Sequence, residues 1–379
     1  MPLILNDDQT LLRESARGFI AEHAPVSALR ALRDSRDPDG ISRALWKSFA
    51  DMGFTGILVP EAHGGLGLGH VEAGVVMEEI GRNLTASPFL STALMGASAL
   101  SRIGGEAAQA QWLPKVVAGE AIVALAVDEG AKHDPARTAT RAERSGNGFR
   151  LNGAKAMVVD GHLADLLIVA ARSAGRPGER QGLTLFLIDP KAKGLSIERT
   201  VMVDAHNAAR ITLDNVEVDA DAVLGEVDGA FEPLEGVLNV GRAALAAEAT
   251  GLADEAFSRT LAYLSERRQF GQPIGSFQAL QHRAAHLFTE LEIAKAAVLK
   301  ALQTLDQSYD AAGPIVAIAK AKAGQASTLA VQEAVQMHGG VGMTDAFDIG
   351  LFMKRARVAQ ELFGDSNFHA ERLARLGGY

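Results

Sequence analysis

A chain of 379 residues with 47% apolar and 22% charged residues has the length for two or three packed domains and the balance of a globular protein. Its net charge of −9 disfavours non-specific binding to nucleic acid, and an anionic ligand needs a local basic patch against that field. Cysteine is absent, which excludes disulfides, thiolate catalysis and cysteine metal sites.

The first residues, Met1 to Gln9, show no basic stretch leading into a long apolar run, so a secretory signal is not expected. No run of apolar residues reaches membrane-spanning length, and a cytoplasmic location is the expectation. Leu11, Leu12, Ala16, Phe19 and Ile20 form a helical stripe over Asp7–Glu22, and the pattern repeats over Glu72–Gly81 and Leu90–Ile103. Residues 1–120 therefore read as an N-terminal α-helical domain. The glycine-rich stretch from Val59 to Gly69 lacks the spacing of a phosphate loop and reads as a tight connection.

Over 121–230 the period changes to short β-type runs: Ile122–Val127, Leu166–Ala170, Leu183–Ile188 and Arg210–Leu213, separated by turn residues. Ser145–Gly153 reads as a hairpin entry. This middle region is expected to be a small β-barrel or sandwich. From 231 to 379 the helical pattern returns, over Asn239–Gln269, Phe277–Ala311, Ile315–His338 and Arg357–Leu376, as in an antiparallel four-helix bundle. His282 and His286 are one helical turn apart, but no third ligand accompanies them and no metal is expected.

The most informative stretch is Glu266-Arg-Arg-Gln-Phe-Gly-Gln-Pro-Ile-Gly-Ser-Phe-Gln-Ala-Leu-Gln281. It places arginines, phenylalanines and glutamines at a helix junction, where cationic and amide donors suit a phosphate-bearing ligand. Arg267–Gly271 with Phe277-Gln278, then Val335-Gln-Met-His-Gly-Gly-Val-Gly342, resemble the flavin-binding signature of the acyl-CoA dehydrogenase family. Gly53–Gly69, Glu78-Glu-Ile-Gly-Arg82 and Trp112–Glu120 extend that resemblance over nearly the whole chain.

The resemblance implies a multidomain α+β fold: N-terminal helices, a middle β-domain and a C-terminal four-helix bundle. It implies FAD as cofactor. Arg267 would meet the pyrophosphate, with Phe270 and Gln278 packing near it. Gln336, Gly339 and Gly340 would meet the FAD of the neighbouring subunit, and Asp365 stands where the family also meets FAD. The family's reaction removes an α-proton of an acyl-CoA thioester with a carboxylate while the β-hydride passes to the flavin. Such a base needs a fixed position and a raised pKa. Arg242 falls at a substrate-binding position.

The chain departs from the family where the chemistry belongs. The base position in Gln360-Glu-Leu-Phe-Gly-Asp365 is Phe363, and the alternative position on the first bundle helix is Gly241. Near the flavin, Asp128-Glu-Gly-Ala-Lys-His-Asp134 and Met157-Val-Val159 remove the hydroxyl donors expected at Asp128 and Val159. Relocated bases are Glu248, seven residues past Gly241 on the same helix face, then Asp365 and Glu361. Small Gly241, Ala243 and Ala244 suggest a widened site for bulky acyl groups.

Together these features resemble the small, base-lacking subunit of two-subunit acyl-CoA dehydrogenases, such as the pimeloyl-CoA type. The implied partners are an acyl-CoA thioester, electron-transferring flavoprotein and a homo- or hetero-tetramer that includes a Glu-bearing homologous chain. Two other readings stay open: a non-catalytic FAD-site or assembly subunit, and a flavin enzyme of the same fold with changed chemistry.

Overall fold

The structure is a computed structural model describing residues 2–379. Helices α1 (Asp7–His23), α2 (Val26–Ser35), α3 (Arg43–Asp51), α4 (His70–Asn83), α5 (Ala97–Ile103) and α6 (Glu106–Val117) come first. Strands β1 (Val123–Ala126), β2 (Arg141–Ser145), β3 (Gly148–Val159), β4 (Leu166–Arg172), β5 (Leu183–Ile188), β6 (Leu195–Val201), β7 (Asn207–Val218) and β8 (Val223–Leu224) follow. Then come α7 (Phe231–Glu266), the small hairpin β9 (Arg268–Gln269) and β10 (Gln272–Pro273), α8 (Gln278–Gln307), α9 (Gly313–His338), α10 (Ile349–Glu361) and α11 (Ser366–Leu376). The order of N-terminal helices, middle strands and C-terminal helices is the expected one. No helix among the described residues is long and apolar enough to cross a membrane.

The chain divides into two compact units. One gathers the segment ending at Ser35, His70–Ala86 and Arg242–Tyr379; the other gathers Arg36–Gly69 and Ser87–Gly241. The boundary falls between Gly241 and Arg242, inside α7.

In the helical unit, Asn6 caps α1 reciprocally with Gln9, satisfying orphan amides at the helix start. Ala253, Phe257, Leu287, Leu291, Ala294, Ala326 and Ala330 form a common core for α7, α8 and α9. Helices α4 and α7 meet backbone to backbone. A Cβ added at Gly81 would lie 2.1 Å from the Glu248 carbonyl oxygen, and one at Gly251 would lie 2.0 Å from that of Glu78. Only glycine allows that approach.

In the other unit the strands form one eight-stranded sheet in the order β6-β7-β3-β2-β4-β5-β8, with β1 parallel to β4. Phe149 and Phe186 meet edge to face at 5.1 Å in its core, beside Leu151, Val169 and Ile211. The expected hairpin is present, with Ser145 opposite Gly148.

Local differences from the sequence reading have identifiable causes. Leu90–Ile103 is two elements, a π-helix over Phe89–Gly96 and then α5. A Cβ at Gly96 would lie 2.8 Å from Val123 Cβ, so the wider turn lets this segment lie close against β1. The apolar pattern over Arg357–Leu376 runs on without signalling that the helix breaks at Leu362, where Phe363 and Gly364 take positive φ. Strand β6 carries a half-exposed, charged pattern that hid it from the periodicity reading.

Candidate functional site

The break between α10 and α11 carries Phe363, the expected base position. Phe363 is 7% exposed and left-handed at φ 57°, and Gly364 follows at φ 104°. A Cβ at Gly364 would lie 2.2 Å from Phe368 Cδ1, so the second residue must be glycine. Asp365 then caps α11 by accepting the Phe368 N–H at 2.8 Å. The backbone for a projecting side chain is therefore present, but the side chain is a hydrocarbon with no proton acceptor.

Two buried cations hold this turn. Lys320 Nζ donates to the carbonyls of Ala359, Gln360 and Gly364 at 2.8, 3.0 and 3.3 Å. These include the last carbonyls of α10, which have no donor within the helix. Arg242 is fully buried, donates through Nε to the Phe363 carbonyl at 3.2 Å, and lies over the Phe368 ring. Expected at a substrate-binding position, Arg242 here supports the turn. Burial, reinforced by the nearby Arg242 charge, pushes the Lys320 amine down to about 7.

Of the relocated carboxylates, Glu248 is 1% exposed and forms a two-pronged pair with Arg355, Nε to Oε1 at 2.5 Å and Nη2 to Oε2 at 2.9 Å. Both its oxygens are committed. Glu361 pairs with Arg357 one turn earlier at 3.0 Å. At the alternative base position, a Cβ on Gly241 would lie 2.6 Å from Met95 Sδ. Met95, on the π-helix, therefore fills the space that a side chain at 241 needs, and the expected widening is absent at that point.

The cofactor-signature residues gather at one end of the helical unit. Arg267 leaves α7 and its carbonyl accepts the Ile274 N–H at 2.8 Å, closing the β9–β10 hairpin. Phe270 (φ 51°) and Gly271 (φ 82°) make its turn, with both central residues left-handed. Phe270 is 88% exposed and meets Phe277 edge to face at 6.1 Å. Gln278 opens α8, a long helix whose first amides have no side-chain cap. Tyr263, one turn before Arg267, stacks on His338 at 4.4 Å. Leu264, Ile274 and Met337 pack together beneath. The hairpin is thereby joined to the end of α9, where Gln336 precedes Gly339 (φ 64°) and Gly340. A Cβ at either glycine would meet open space.

That end fits a dinucleotide pyrophosphate. It offers exposed cations at Arg267 and Arg268, helix-start amides, uncovered glycine backbone and an exposed flat ring. The sequence reading assigned these residues to two FAD contacts across an interface; within one chain they share a neighbourhood.

The positions expected to face the flavin lie in the sheet unit. Asp128 follows β1, its carbonyl accepts the Ala156 N–H at 2.7 Å, and its carboxylate takes His133 Nδ1 at 2.8 and 2.9 Å. Beside it Lys155 is buried, bonding the Val127 carbonyl at 3.0 Å and Glu129 at 2.7 Å. Burial pushes the Lys155 amine down, with Glu129 opposing. Burial alone would raise the Glu129 carboxyl, but Lys155 and the Thr140 donors outweigh it and hold it low. Met157 is left-handed and 40% exposed beside a register shift in β3, and Val159 pairs with Ala208. The Asp128–His133 pair, Lys155, Lys320 and Met95 escaped the sequence reading. A lysine among the alanines of α9, with Lys322 two residues on, was the one signal available for Lys320.

Family profiles described as the N-terminal, middle and C-terminal domains of acyl-CoA dehydrogenase match residues 6–120, 124–216 and 231–377. The isovaleryl-CoA dehydrogenase of Pongo abelii is 30% identical over 366 residues, covering 93% of this chain and 85% of that protein. The chain belongs to the acyl-CoA dehydrogenase family. It is an FAD-dependent oxidoreductase of acyl-CoA thioesters. The 3-(aryl)acrylate reductase of Clostridium sporogenes is also 30% identical, with 94% of each chain covered. The solved Tcur3481-Tcur3483 steroid ACAD superposes with a TM-score of 0.87 at 32% identity, covering 98% of both chains. The ChsE4-ChsE5 complex from Mycobacterium tuberculosis shares the fold, with a TM-score of 0.90 at 24% identity, covering 100% of this chain and 99% of that one.

Proposed function

We propose that this chain is the base-lacking subunit of a two-chain acyl-CoA dehydrogenase, resembling the pimeloyl-CoA small-subunit type. One observation carries the reading. Both base positions of the family are occupied by groups that cannot take a proton, Phe363 on a clamped turn and Gly241 against Met95. Glu248 is bound into an ion pair, and Asp365 is engaged as a helix cap. The similar Tcur3481-Tcur3483 steroid ACAD, named for two components, supports it.

In this reading FAD, when bound, supplies the hydride acceptor, and a Glu-bearing homologous subunit supplies the base. This chain's Arg267 presents paired donors to the pyrophosphate of the FAD at the shared interface. Phe270 and Gln278 pack beside it, and Gln336, Gly339 and Gly340 let backbone approach the dinucleotide. The hydroxyl donors lost at Asp128 and Val159 leave this chain's own sheet without its flavin-facing groups. The assembly is a hetero-tetramer in which FAD sits where unlike chains meet. Electron-transferring flavoprotein takes the electrons.

The test purifies the chain alone and with a homologous Glu-bearing chain, then measures FAD content and anaerobic flavin bleaching by acyl-CoAs. Bleaching only in the mixed assembly supports the reading. Full bleaching by the isolated chain defeats it and returns attention to Glu248 and Asp365, with Glu248→Gln separating the two. Absence of FAD from every preparation defeats the assigned binding residues.

A further inference from the structure

Lys320 lies on α9 with 3% of its surface exposed, and all three acceptors of its ammonium are backbone carbonyls, those of Ala359, Gln360 and Gly364. Three acceptors match the three protons of an ammonium, whereas a neutral amine donates only two. The residues spanned include Phe363 and Gly364, whose left-handed backbone persists only where the surroundings over-determine it. Leu362 N–H to the Val358 carbonyl and Gly364 N–H to that of Glu361, at 3.1 and 3.2 Å, are the amide bonds that report the state of the turn.

We infer that Lys320 is a positioning residue: its charged amine holds the Phe363–Asp365 turn in shape and thereby fixes the Asp365 segment offered to FAD. The link to FAD rests on the function proposed above; the link to the turn does not. The charged groups around Lys320 are Arg242 and Glu248 from α7, Glu361 from α10 and Asp365 at the start of α11. Arg355 on α10 is tied to Glu248, and Lys322 on α9 to Glu290 of α8. His369 is buried on α11, which packs on α9. Burial, then Arg242, lowers the Lys320 amine to about 7, while Glu361, Asp365 and Glu248 oppose. The three carbonyl bonds, and not that lowered value, tie the amine to the turn.

The experiment is hydrogen exchange of the peptide spanning 358–368, corrected for intrinsic rate, at one pH in the full chain. Wild type, Lys320→Met and Lys320→Arg are compared, with FAD dissociation constants measured on the mixed assembly at the same pH. Protection in Lys320→Met should fall about tenfold or more, the loss of charge-assisted bonds to the turn. Lys320→Arg, which keeps a donor cation, should recover most of that protection. Lys320→Met that follows wild type overturns the inference. Lys320→Arg as poorly protected as Lys320→Met also overturns it. FAD affinity that stays flat while the turn loosens removes the FAD half alone.

Discussion

Two Phe-Gly pairs in this chain share a backbone and differ in everything else. Phe270-Gly271 and Phe363-Gly364 are both left-handed at each residue, a conformation that is uncommon for a bulky side chain. Phe270 projects 88% exposed from a hairpin, while Phe363 is 7% exposed beneath two cations. Strain with exposure leaves a ring free to meet a ligand, as proposed for Phe270. Strain with burial leaves a turn held by its surroundings, at the position proposed to have lost a base.

If buried charge holds the second turn, the most damaging change near it is Arg355→Met on α10. It leaves Glu248 buried without its partner and should cost about 3–5 kcal/mol in urea unfolding. Glu248→Leu combined with Arg355→Met should recover most of that loss. Gly364→Ala comes next, at about 2–4 kcal/mol, because it meets the Phe368 ring as well as a left-handed backbone. Gly271→Ala has open space and only the backbone penalty, about 1–2 kcal/mol. Equal losses at the two glycines would erase the contrast.

Arg267→Gln should leave unfolding unchanged and weaken FAD binding to the mixed assembly about ten- to a hundredfold, measured by equilibrium dialysis. Phe270→Asn should also change stability little. Asparagine accepts the left-handed turn more readily, so stability should stay level or rise by up to about 1 kcal/mol while FAD affinity drops. Phe363→Asn should instead destabilise, since it removes a buried ring. Unchanged FAD affinity in Phe270→Asn would mean that the exposed ring serves something else.

Long helices and short strands were readable because each repeats a period many times: α1, α4, α8, α9, β4 and β5 fall where the apolar spacing put them. The break at Leu362–Asp365 was not, because Ala359, Phe363, Ala370 and Leu373 keep helical spacing across it. The turn's own residues, Phe363, Gly364 and Asp365, were singled out through the resemblance to the family. The partners of that turn were not. Lys320 and Arg242 reach it from about forty and a hundred and twenty positions away, distances that no local pattern encodes. Met95 was hidden for the same reason, since only the fold brings it against Gly241.

The glycine seam between α4 and α7 has a consequence beyond packing. Gly81 rests on the carbonyl of Glu248, and Glu248 holds Arg355 through its side chain, so one residue serves as both a bearing surface and an anchor. A single methyl at Gly81 acts as a shim. It would lift the backbone that carries the anchor and slacken α10, the helix whose end ties into the turn at Phe363. Tolerance to change along this seam is thus set by a mechanical tolerance of a fraction of an ångström, and a substitution on α4 is felt at a place it never touches.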